Sequence, residues 1–402
     1  MIGARHTVQL PAGFSFSSLA AGIKASGSTD LALVEAAPGT TAAALFTTNL
    51  VAAAPVQLGR KHLAVSRGRV RAVIVNSGNA NCATGPMGLR DCRDVCQAVA
   101  HSLEISPEQV IPSSTGIIGV PLPTKKVLAN ISPLVASRQP TLNALHQFAQ
   151  AIMTTDTRQK IAAASFHSGK SEAKLVGVAK GAGMIHPQLA TMLVYLFTDL
   201  KASPLQLRRA LKDSCDSTFN SISIDGDTST NDTVLLLASG GSRVRCNDSG
   251  VSKKFSEALL QVCRSLAEQI VSDGEGVQHV IRLHIEQART NAEALRIART
   301  ISHSFLVKTA WAGADPNWGR ILAAVGRSGV NVDPTRIKIF IGDQEVCREG
   351  MVHKFNEARA HHDLSRSTCK IRVLLGRGKA VAAFLTSDLS AEYVRINADY
   401  ST

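Results

Sequence analysis

A glycine-rich loop followed by an apolar run places a threonine where its hydroxyl could act on its own backbone. The loop starts at Lys180, contains Gly181 and Gly183, bends at Pro187, and enters a β-prone run at Thr191. A tight loop of this kind can place one strained peptide bond in a confined environment. Attack of the threonine hydroxyl on the preceding carbonyl would convert the amide into an ester, which water then hydrolyses. The segment therefore suggests self-cleavage.

Cleavage between Ala190 and Thr191 would leave Thr191 with both a hydroxyl and a free α-amino group. That amine has an ordinary pKa of about 8, so it can accept the hydroxyl proton near neutral pH. No separate histidine base is then needed, and the sequence has no G-x-S-x-G, H-E-x-x-H or P-loop signature. Taken alone the pattern is weak, because a threonine that begins a strand is mostly structural.

Other polar clusters suggest structural roles. His361, His362 and Asp363 lie in charged surroundings, which favours a solvated surface segment over an acid–base site. The eight cysteines include no C-x-x-C pair; Cys92 and Cys96 would share one side of a helix, without further ligands at zinc spacing. We interpret the cysteines as buried free thiols of a reducing cytosol.

The composition is that of a folded protein with a substantial core. Of the 402 residues 45% are hydrophobic and 19% charged. The formal charge of +13 is scattered, and only 4% of residues are aromatic, which argues against nucleic-acid binding and favours attraction of anionic metabolites. Residues 1–16 do not resemble a secretory signal, and no apolar run reaches the length of a membrane span, so we expect a cytoplasmic protein.

The predicted strands and helices that must position these reactive residues alternate irregularly along the chain. A small polar loop is predicted at 76–81. Strands are predicted at 71–75, 161–165, 173–178, 191–197, 233–238, 277–285, 336–341, 370–375 and 380–385, and helices at 89–104, 141–153, 203–215, 253–271 and 291–301. There is no strict β-α-β rhythm and no dinucleotide fingerprint, which predicts a layered α+β architecture rather than a doubly wound sheet.

Motifs that match one known family run in order along nearly the whole chain. They are Ala21-Gly22-Ile23-Lys24 with Asp30-Leu31-Ala32-Leu33, Phe46-Thr47-Thr48-Asn49, 76–81, 114–119, 153–157, 180–193, 225–232, 273–276, 313–320 and 393–400. Together they resemble the ornithine acetyltransferase family, the bifunctional glutamate/ornithine N-acetyltransferases of arginine biosynthesis. Chance agreement on so many ordered motifs is negligible, so the resemblance makes self-cleavage the favoured interpretation. It also implies the layered α/β sandwich of the self-processing ornithine acetyltransferase/aminopeptidase type.

The resemblance implies that Thr191 is the nucleophile and that Thr115 and Gly116 stabilise the oxyanion. The Gly116 backbone N–H and the Thr115 side chain would donate to the oxygen that becomes negative in the tetrahedral intermediate. Removing one such donor typically costs about 100- to 1,000-fold in rate. From its own residues alone, 113–119 would be interpreted as a tight turn.

The resemblance further implies substrate contacts near the loop and at the C-terminus. They are Thr154 (with Thr155 as the alternative), Lys180, Thr191, Glu275, Asn397 and Thr402. The Lys180 cation suits a substrate carboxylate, and Glu275 could face the amino end. Asn397 and Thr402 lie where a disordered tail is the usual expectation, so their family role implies that this tail packs into the active site.

The implied reaction is ping-pong acetyl transfer. Acetyl passes from N-acetylornithine to Thr191 and then to the amine of glutamate. Some family members also accept acetyl-CoA as donor, which the sequence does not decide, and no cofactor or metal is implied. Cleavage would divide the chain into an N-terminal α chain, 1–190, and a C-terminal β chain, 191–402. The family commonly forms a heterotetramer of two of each, and we expect no nucleic-acid or membrane partner.

The chain departs from the family pattern at three places. His186 stands where a small residue is usual, Gln188 replaces a common asparagine, and Cys82-Ala83 inverts the usual order. His186 lies five residues before the nucleophile, so it could slow or tune self-cleavage. We expect that cleavage still occurs.

Three alternatives remain open from the sequence. A self-processing aminopeptidase of related fold would hydrolyse rather than transfer, and would release free acetate or amino acids instead of acetylglutamate. An uncleaved family member could act as a binding protein, although the intact residues argue against it: Thr115, Lys180, Thr191 and Glu275. The aspartates of 225–232 and 315–320 could bind metal, but hydrogen bonding within their loops is the favoured interpretation.

Overall fold

The computed structural model describes residues 8–186 and 192–399 as a layered mixture of strands and helices. The strands are β1 (Phe14–Leu19), β2 (Leu31–Ala36), β3 (Thr41–Phe46), β4 (Ala72–Asn79), β5 (Val110–Ile117), β6 (Lys160–Ser168), β7 (Ser171–Lys180), β8 (Leu193–Thr198), β9 (Ile222–Ser223), β10 (Thr233–Ala238), β11 (Val280–Ala288), β12 (Lys338–Ile341), β13 (Gln344–Arg348), β14 (Met351–Val352), β15 (Thr368–Leu374) and β16 (Ala380–Ser387). The helices are α1 (Ala54–Val65), α2 (Gly85–Leu103), α3 (Thr124–Ala129), α4 (Ile131–Ala136), α5 (Leu142–Ala151), α6 (Pro204–Asp216), α7 (Val251–Ser272), α8 (Asn291–Ser302), α9 (Phe305–Ala312), α10 (Trp318–Gly326), α11 (Glu357–Leu364) and α12 (Ala391–Asp399). The predicted α+β class is confirmed.

The described strands form three sheets. The first has the order β1-β2-β4-β5, the second β3-β10-β8-β7-β6, and the third β14-β13-β12-β15-β11-β16-β9. In the second sheet, β8 pairs antiparallel with β7 and parallel with β10. Strands from before and after the predicted cleavage position are therefore neighbours in one sheet. The proposed division at residue 190 would cut the chain without separating these hydrogen-bonded strands.

The first two sheets stack face to face because their strands are apolar on both sides. In β8, Tyr195 and Phe197 pack toward the first sheet, whereas Val194 and Leu196 pack toward α6 and α7. The outer face of the first sheet packs against α1, α2 and α4. This gives four layers, helix–sheet–sheet–helix, with β8 buried at the centre.

The third sheet builds a second core with helices α8 to α11. Strand β11 lies between β15 and β16, and its alternating aliphatic side chains, such as Leu283 and Ile285, are buried in this core. Helix α7 also contacts β16, which joins this core to the four-layer part. The motif at 315–320 belongs here: Asn317 caps α10 by accepting from the Arg320 N–H, which supports loop hydrogen bonding.

Two loop predictions were wrong. Residues 76–79 continue β4, and 113–117 lie within β5 rather than in a turn. These two stretches pair with each other in parallel, so their small polar residues gain backbone partners that sequence patterns do not reveal. The predicted helix starting at Ser203 is confirmed, with a complete capping box between Ser203 and Gln206.

The remaining sequence expectations concern cysteines, the histidine pair and membranes. All eight cysteines are buried and free, as expected. His361 and His362 are exposed on α11, and His361 contacts the Ala314 carbonyl at 2.9 Å. Within 8–186 and 192–399, no helix combines the length and apolar character needed to cross a bilayer.

Candidate active site

Six of the predicted site residues line a single cavity of about 210 Å³. They come from strands, loops and the C-terminal helix: Thr115, Gly116, Thr154, Lys180, Glu275 and Asn397. Thr155 lines the same cavity, so the structure does not choose between the two adjacent threonines. Ala190, Thr191 and Thr402 lie outside the described residues. The chemical roles of all these residues stay predictions.

Thr115 and Gly116 are positioned by the parallel pairing of β4 and β5. Thr115 lies opposite Ser77 and Gly116 opposite Gly78, at an irregularity in the register. Gly116 has φ +132°, and an added Cβ would lie 2.3 Å from the Gly78 carbonyl carbon. Only glycine fits this close approach of two backbones. The position thus requires a glycine for reasons of local geometry.

The Lys180 ammonium lies 3.0 Å from the Thr115 hydroxyl oxygen. Lys180 is 3% exposed, and burial lowers its pKa even though the Asp156 carboxylate counteracts this effect. An ammonium group can only donate, so Thr115 must accept, and its own hydroxyl proton is free to point elsewhere. The lysine therefore orients Thr115 as a hydrogen-bond donor, in addition to any contact with a substrate carboxylate.

Asp156, which the sequence left without a role, organises the buried cations behind the cavity. It accepts from the Gly181 N–H at 2.6 Å and from Lys160 Nζ at 2.6 Å, and Lys160 also donates to Asp273 at 2.5 Å. Burial would raise the pKa of Asp156, but Lys180 and Lys160 outweigh that effect and lower it. The carboxylate thus stays ionised and holds the start of the glycine-rich loop.

Glu275 lies where the loop and the C-terminal helix meet. Its backbone N–H donates to the Ala182 carbonyl at 2.9 Å, and its carboxylate accepts from Asn397 Nδ2 at 2.8 Å. An added Cβ on Gly183 would lie 2.4 Å from a Glu275 carboxylate oxygen. The C-terminal helix therefore packs at the cavity, with Asn397 in its lining.

Asp225 joins the wall of the cavity to the loop. Its carboxylate accepts from the backbone N–H groups of Met184 and Ile185, the latter at 2.8 Å, and from the Tyr393 hydroxyl at 3.3 Å. Burial raises the pKa of Asp225 to about 6. Sequence motifs contained both Asp225 and Tyr393, but nothing in them showed that the two residues meet.

The other end of the same motif holds the chain at Met192, just before β8. Asp232 accepts from the Met192 N–H at 2.9 Å, and Asn231 Nδ2 donates to the carbonyls of Ala80 and Ser114 at 2.7 and 2.9 Å. Asp232 is 1% exposed, and burial raises its pKa well above the ordinary range. The motif is thereby attached to the strand that carries Thr115.

His186 packs against a second imidazole rather than projecting into solvent. Its Nδ1 lies 2.8 Å from His303 Nε2, which is also 3.2 Å from the Ser223 hydroxyl. Burial lowers the pKa of His186 to about 4, with a further contribution from Arg299. Burial and the His186 neighbour lower the pKa of His303 to about 3. Both rings are therefore neutral near pH 7.

Groups of opposite charge meet in the lining of the cavity. Thr115 and Gly116 line the cavity together with Lys180, whose ammonium lies against the Thr115 hydroxyl. Three carboxylates also line it: Asp225, Asp227 and Glu275. A cation suits a carboxylate and carboxylates suit an amine, so an amino acid fits both charges. The described residues contain no cluster of three or more metal-ligating side chains.

Comparison with known proteins relates the sequence to one family over almost its full length. Residues 15–402 match the model of the ArgJ family. The chain is 42% identical over 395 residues to the arginine biosynthesis bifunctional protein ArgJ of Parasynechococcus marenigrum, covering 98% of this chain and 95% of that protein. It is 43% identical over 393 residues to the protein of the same name in Geobacter sulfurreducens, covering 97% and 99%.

Solved structures of similar sequence each align with about half of the chain. A crystal structure of ArgJ from Bacillus halodurans is 38% identical and covers 50% of this chain and 96% of that one, with a TM-score of 0.48. Ornithine acetyltransferase complexed with ornithine, from Mycobacterium tuberculosis, is 41% identical and covers 44% and 92%, with a TM-score of 0.39.

Proposed function

The chain belongs to the ArgJ family of bifunctional arginine-biosynthesis enzymes, and from that premise we propose that it cleaves itself between Ala190 and Thr191 and then carries acetyl groups on Thr191. Membership in this family identifies the chain as a glutamate N-acetyltransferase (ornithine acetyltransferase) that also has amino-acid N-acetyltransferase activity. The observation that carries the proposal is the convergence of six predicted residues on one cavity.

Self-cleavage begins with attack of the Thr191 hydroxyl oxygen on the Ala190 carbonyl carbon. The C–N bond breaks as the C–O bond forms, the nitrogen takes up a proton, and an ester joins the two pieces. Water then hydrolyses the ester, giving a carboxylate on Ala190 and restoring the Thr191 hydroxyl. The new α-amine has an ordinary pKa of about 8 and can serve as the base in later steps.

Acetyl transfer then uses the same hydroxyl twice. Thr191 attacks the acetyl carbonyl of N-acetylornithine, and the ornithine nitrogen leaves with the proton that the α-amine took from the hydroxyl. The amine of glutamate attacks the resulting acetyl ester, so that N-acetylglutamate forms and the hydroxyl regains its proton. Thr115, oriented by Lys180, and the Gly116 N–H would donate to the oxyanion in both halves.

The charges of the cavity support the substrate contacts that the resemblance implies. Lys180 and Thr154 would face a carboxylate, and Glu275, held by Asn397, would face an amine. Thr402 is proposed as a further contact by the resemblance alone. The acetyl group arrives on a substrate, either acetylornithine or acetyl-CoA, so we propose that no cofactor takes part.

The shared sheet supports continued association of the α and β chains after cleavage. Strands β7 and β8 pair from Lys180↔Leu193 to Leu175↔Thr198, so the α and β chains would remain joined by backbone hydrogen bonds after cleavage. We propose the heterotetramer of two α and two β chains, and a cytoplasmic location, which suits eight buried free thiols.

Three proteins test the proposal: the wild type, T191A and T191S. On a denaturing gel the wild type should give two fragments, whereas T191A should stay at 42.5 kDa. T191S keeps a hydroxyl and should still be cut. Mass spectrometry after mixing with acetylornithine should find one acetyl group on the fragment that begins with Thr191. An uncut wild type would refute self-cleavage.

Product analysis separates transfer from hydrolysis. The wild type should convert acetylornithine and glutamate into ornithine and acetylglutamate in equal amounts. Release of free acetate, independent of glutamate, would instead favour the aminopeptidase-like hydrolase. Omitting acetylornithine and adding acetyl-CoA measures the second activity directly.

A further inference from the structure

The chain on the two sides of residues 187–191 is held by one segment, residues 222–233. On the upstream side, the Ser223 hydroxyl and the Ile224 N–H both donate to the Ile185 carbonyl, at 3.0 and 2.9 Å. The Asp225 carboxylate accepts from the Met184 and Ile185 N–H groups. The upstream flank is thus held through two N–H groups, those of Met184 and Ile185, and through the Ile185 carbonyl.

The downstream flank is held by the other end of this segment. Asp232 Oδ1 accepts from the Met192 N–H at 2.9 Å, and the Thr233 N–H donates to the Met192 carbonyl at 3.1 Å. Ile185 and Met192 are seven residues apart, as are Asp225 and Asp232. The two anchors therefore fix the positions of Ile185 and Met192.

The supporting segment is itself attached to the strands that carry the oxyanion residues. Asn231 Nδ2 bridges the carbonyls of Ala80 and Ser114. From the other side, Thr47 Oγ1 donates to the Ser229 carbonyl at 2.7 Å, and Asn49 Nδ2 donates to the Thr228 carbonyl at 2.9 Å. Any displacement of the segment would move both flanks relative to Thr115.

We propose that Asp225 and Asp232 are positioning residues for self-cleavage, which clamp the chain on the two sides of residues 187–191 and fix both flanks relative to Thr115 and Gly116. The inference rests on the proposed self-cleavage. Asp225 and Asp232 would align the reacting groups without taking part in the bond changes. The Thr191 oxygen forms the new bond, the Ala190–Thr191 amide breaks, and the aspartates exchange no proton. They contribute by aligning the reacting atoms, because a misplacement of these atoms by about 1 Å can slow the reaction about 100-fold.

The burial of Asp232 favours a clamp that holds one fixed position. Asp232 is 1% exposed, and its Oδ2 atom has no hydrogen-bond partner among the described residues. A buried carboxyl that keeps only one firm bond contributes little to stability by itself. The bond that it makes, at 2.9 Å, fixes the Met192 N–H.

Asp199 provides a matched control. Like Asp225, it accepts backbone N–H groups with both carboxylate oxygens, from Ala12 at 3.2 Å and from Lys174 at 2.8 Å. It follows the far end of β8, away from Met192 and from the cavity. The D199N and D225N variants each replace one accepting oxygen by a donor, so they should disturb folding comparably.

The experiment follows cleavage of the full chain after a pulse of labelled synthesis in a cell-free system. Denaturing gels give the half-life of the precursor, and thermal unfolding of each T191A-based variant gives its stability without cleavage. D225N and D232A should lengthen the half-life about 10- to 100-fold, whereas D199N should stay within about twofold of wild type. S223A, which removes only one hydroxyl, should slow cleavage about two- to tenfold.

The outcomes separate the two proposals. An uncut wild type would overturn self-cleavage and the clamp together. A wild type that is cut, with D225N and D232A cut as fast as a D199N protein of similar melting temperature, would overturn the clamp alone. Should one aspartate variant fail to fold, the other decides, because cleavage at the wild-type rate in that variant would contradict the clamp.

Discussion

Lys180 donates a hydrogen bond to Thr115 across 65 residues of sequence, at 3.0 Å, inside the protein. The bond leaves the threonine hydroxyl proton free for a second partner and places a positive charge behind it. An oxyanion near Thr115 would therefore gain a directed donor supported by a cation. This relationship joins the strand β5 to the end of β7, immediately before the glycine-rich loop.

Loss of the Thr115 hydroxyl should slow acetyl transfer more than it affects folding. We expect T115V to lower kcat about 100- to 1,000-fold, because one oxyanion donor is removed. T115S keeps the hydroxyl and should retain most of the activity. Steady-state rates of acetylglutamate formation, per mole of cleaved protein, provide the measurement. Equal activity of T115V and T115S would show that the hydroxyl is not a donor in the reaction.

G183A should act through Glu275. Its Cβ would lie 2.4 Å from the Glu275 carboxylate, so the side chain must move and give up its bond with Asn397. We expect KM for acetylornithine to rise about tenfold, with stability changed by less than about 1 kcal/mol. In an E275A background the same substitution should have little further effect. Additive effects in the double variant would disprove this route.

G116A should destabilise the protein, because Gly116 has a positive φ and also lies very close to the Gly78 backbone. Gly116 has φ +132°, and the new Cβ would meet the Gly78 backbone at 2.3 Å. Gly119 is a matched control, with φ +82° and nothing within 4 Å of the place that an added Cβ would take. We expect G119A to cost about 1 kcal/mol and G116A at least about 3 kcal/mol in the free energy of unfolding. Denaturant unfolding of uncleaved T191A-based proteins gives both values.

Lys160 should be important for stability because it neutralises two buried carboxylates. Its ammonium lies 2.6 Å from Asp156 and 2.5 Å from Asp273, and its side chain is fully buried. K160M leaves both carboxylates without this partner and should cost about 3–5 kcal/mol in the free energy of unfolding. Lys212, paired with Asp216 at the same four-residue spacing but exposed, is the control. K212M should leave the unfolding midpoint close to that of the wild type, because water screens the exposed pair.

The pair His186–His303 should make stability depend on pH below neutrality. Burial lowers their pKa values to about 4 and about 3, so the native rings stay neutral while unfolded imidazoles bind protons below about pH 6.5. Stability is therefore fully present above that pH and falls as the pH decreases toward 4. Between pH 7 and 5 we expect a loss of about 1 kcal/mol for each ring, after allowance for solvent screening.

A variant isolates this contribution. H303Q removes one ring and should flatten the decline in unfolding midpoint between pH 7 and 5, whereas H362Q, at an exposed position on α11, should follow the wild type. An identical pH dependence in H303Q and wild type would show that the buried pair is not responsible.

Much of the fold could be predicted because the apolar patterns are strong and local. The strand at 233–238 and the start of the helix at Ser203 lie where the sequence placed them. The segments 76–79 and 113–117 were missed, because their small polar residues become strands only by pairing with each other. Periodicity within a segment carries no information about a partner such as Ser114, which lies 38 positions from Asn76.

The sequence by itself determined the family, the order of the motifs and six residues that proved to share a cavity. Tertiary structure alone decided which groups meet. Asp225 and Asp232 reach the two flanks of residues 187–191, Asn397 reaches Glu275, and Lys180 reaches Thr115. These contacts join residues that are 40 to 122 positions apart, and their directions depend on how sheets and helices pack. A motif identifies the donors and acceptors, whereas the folded chain determines their partners.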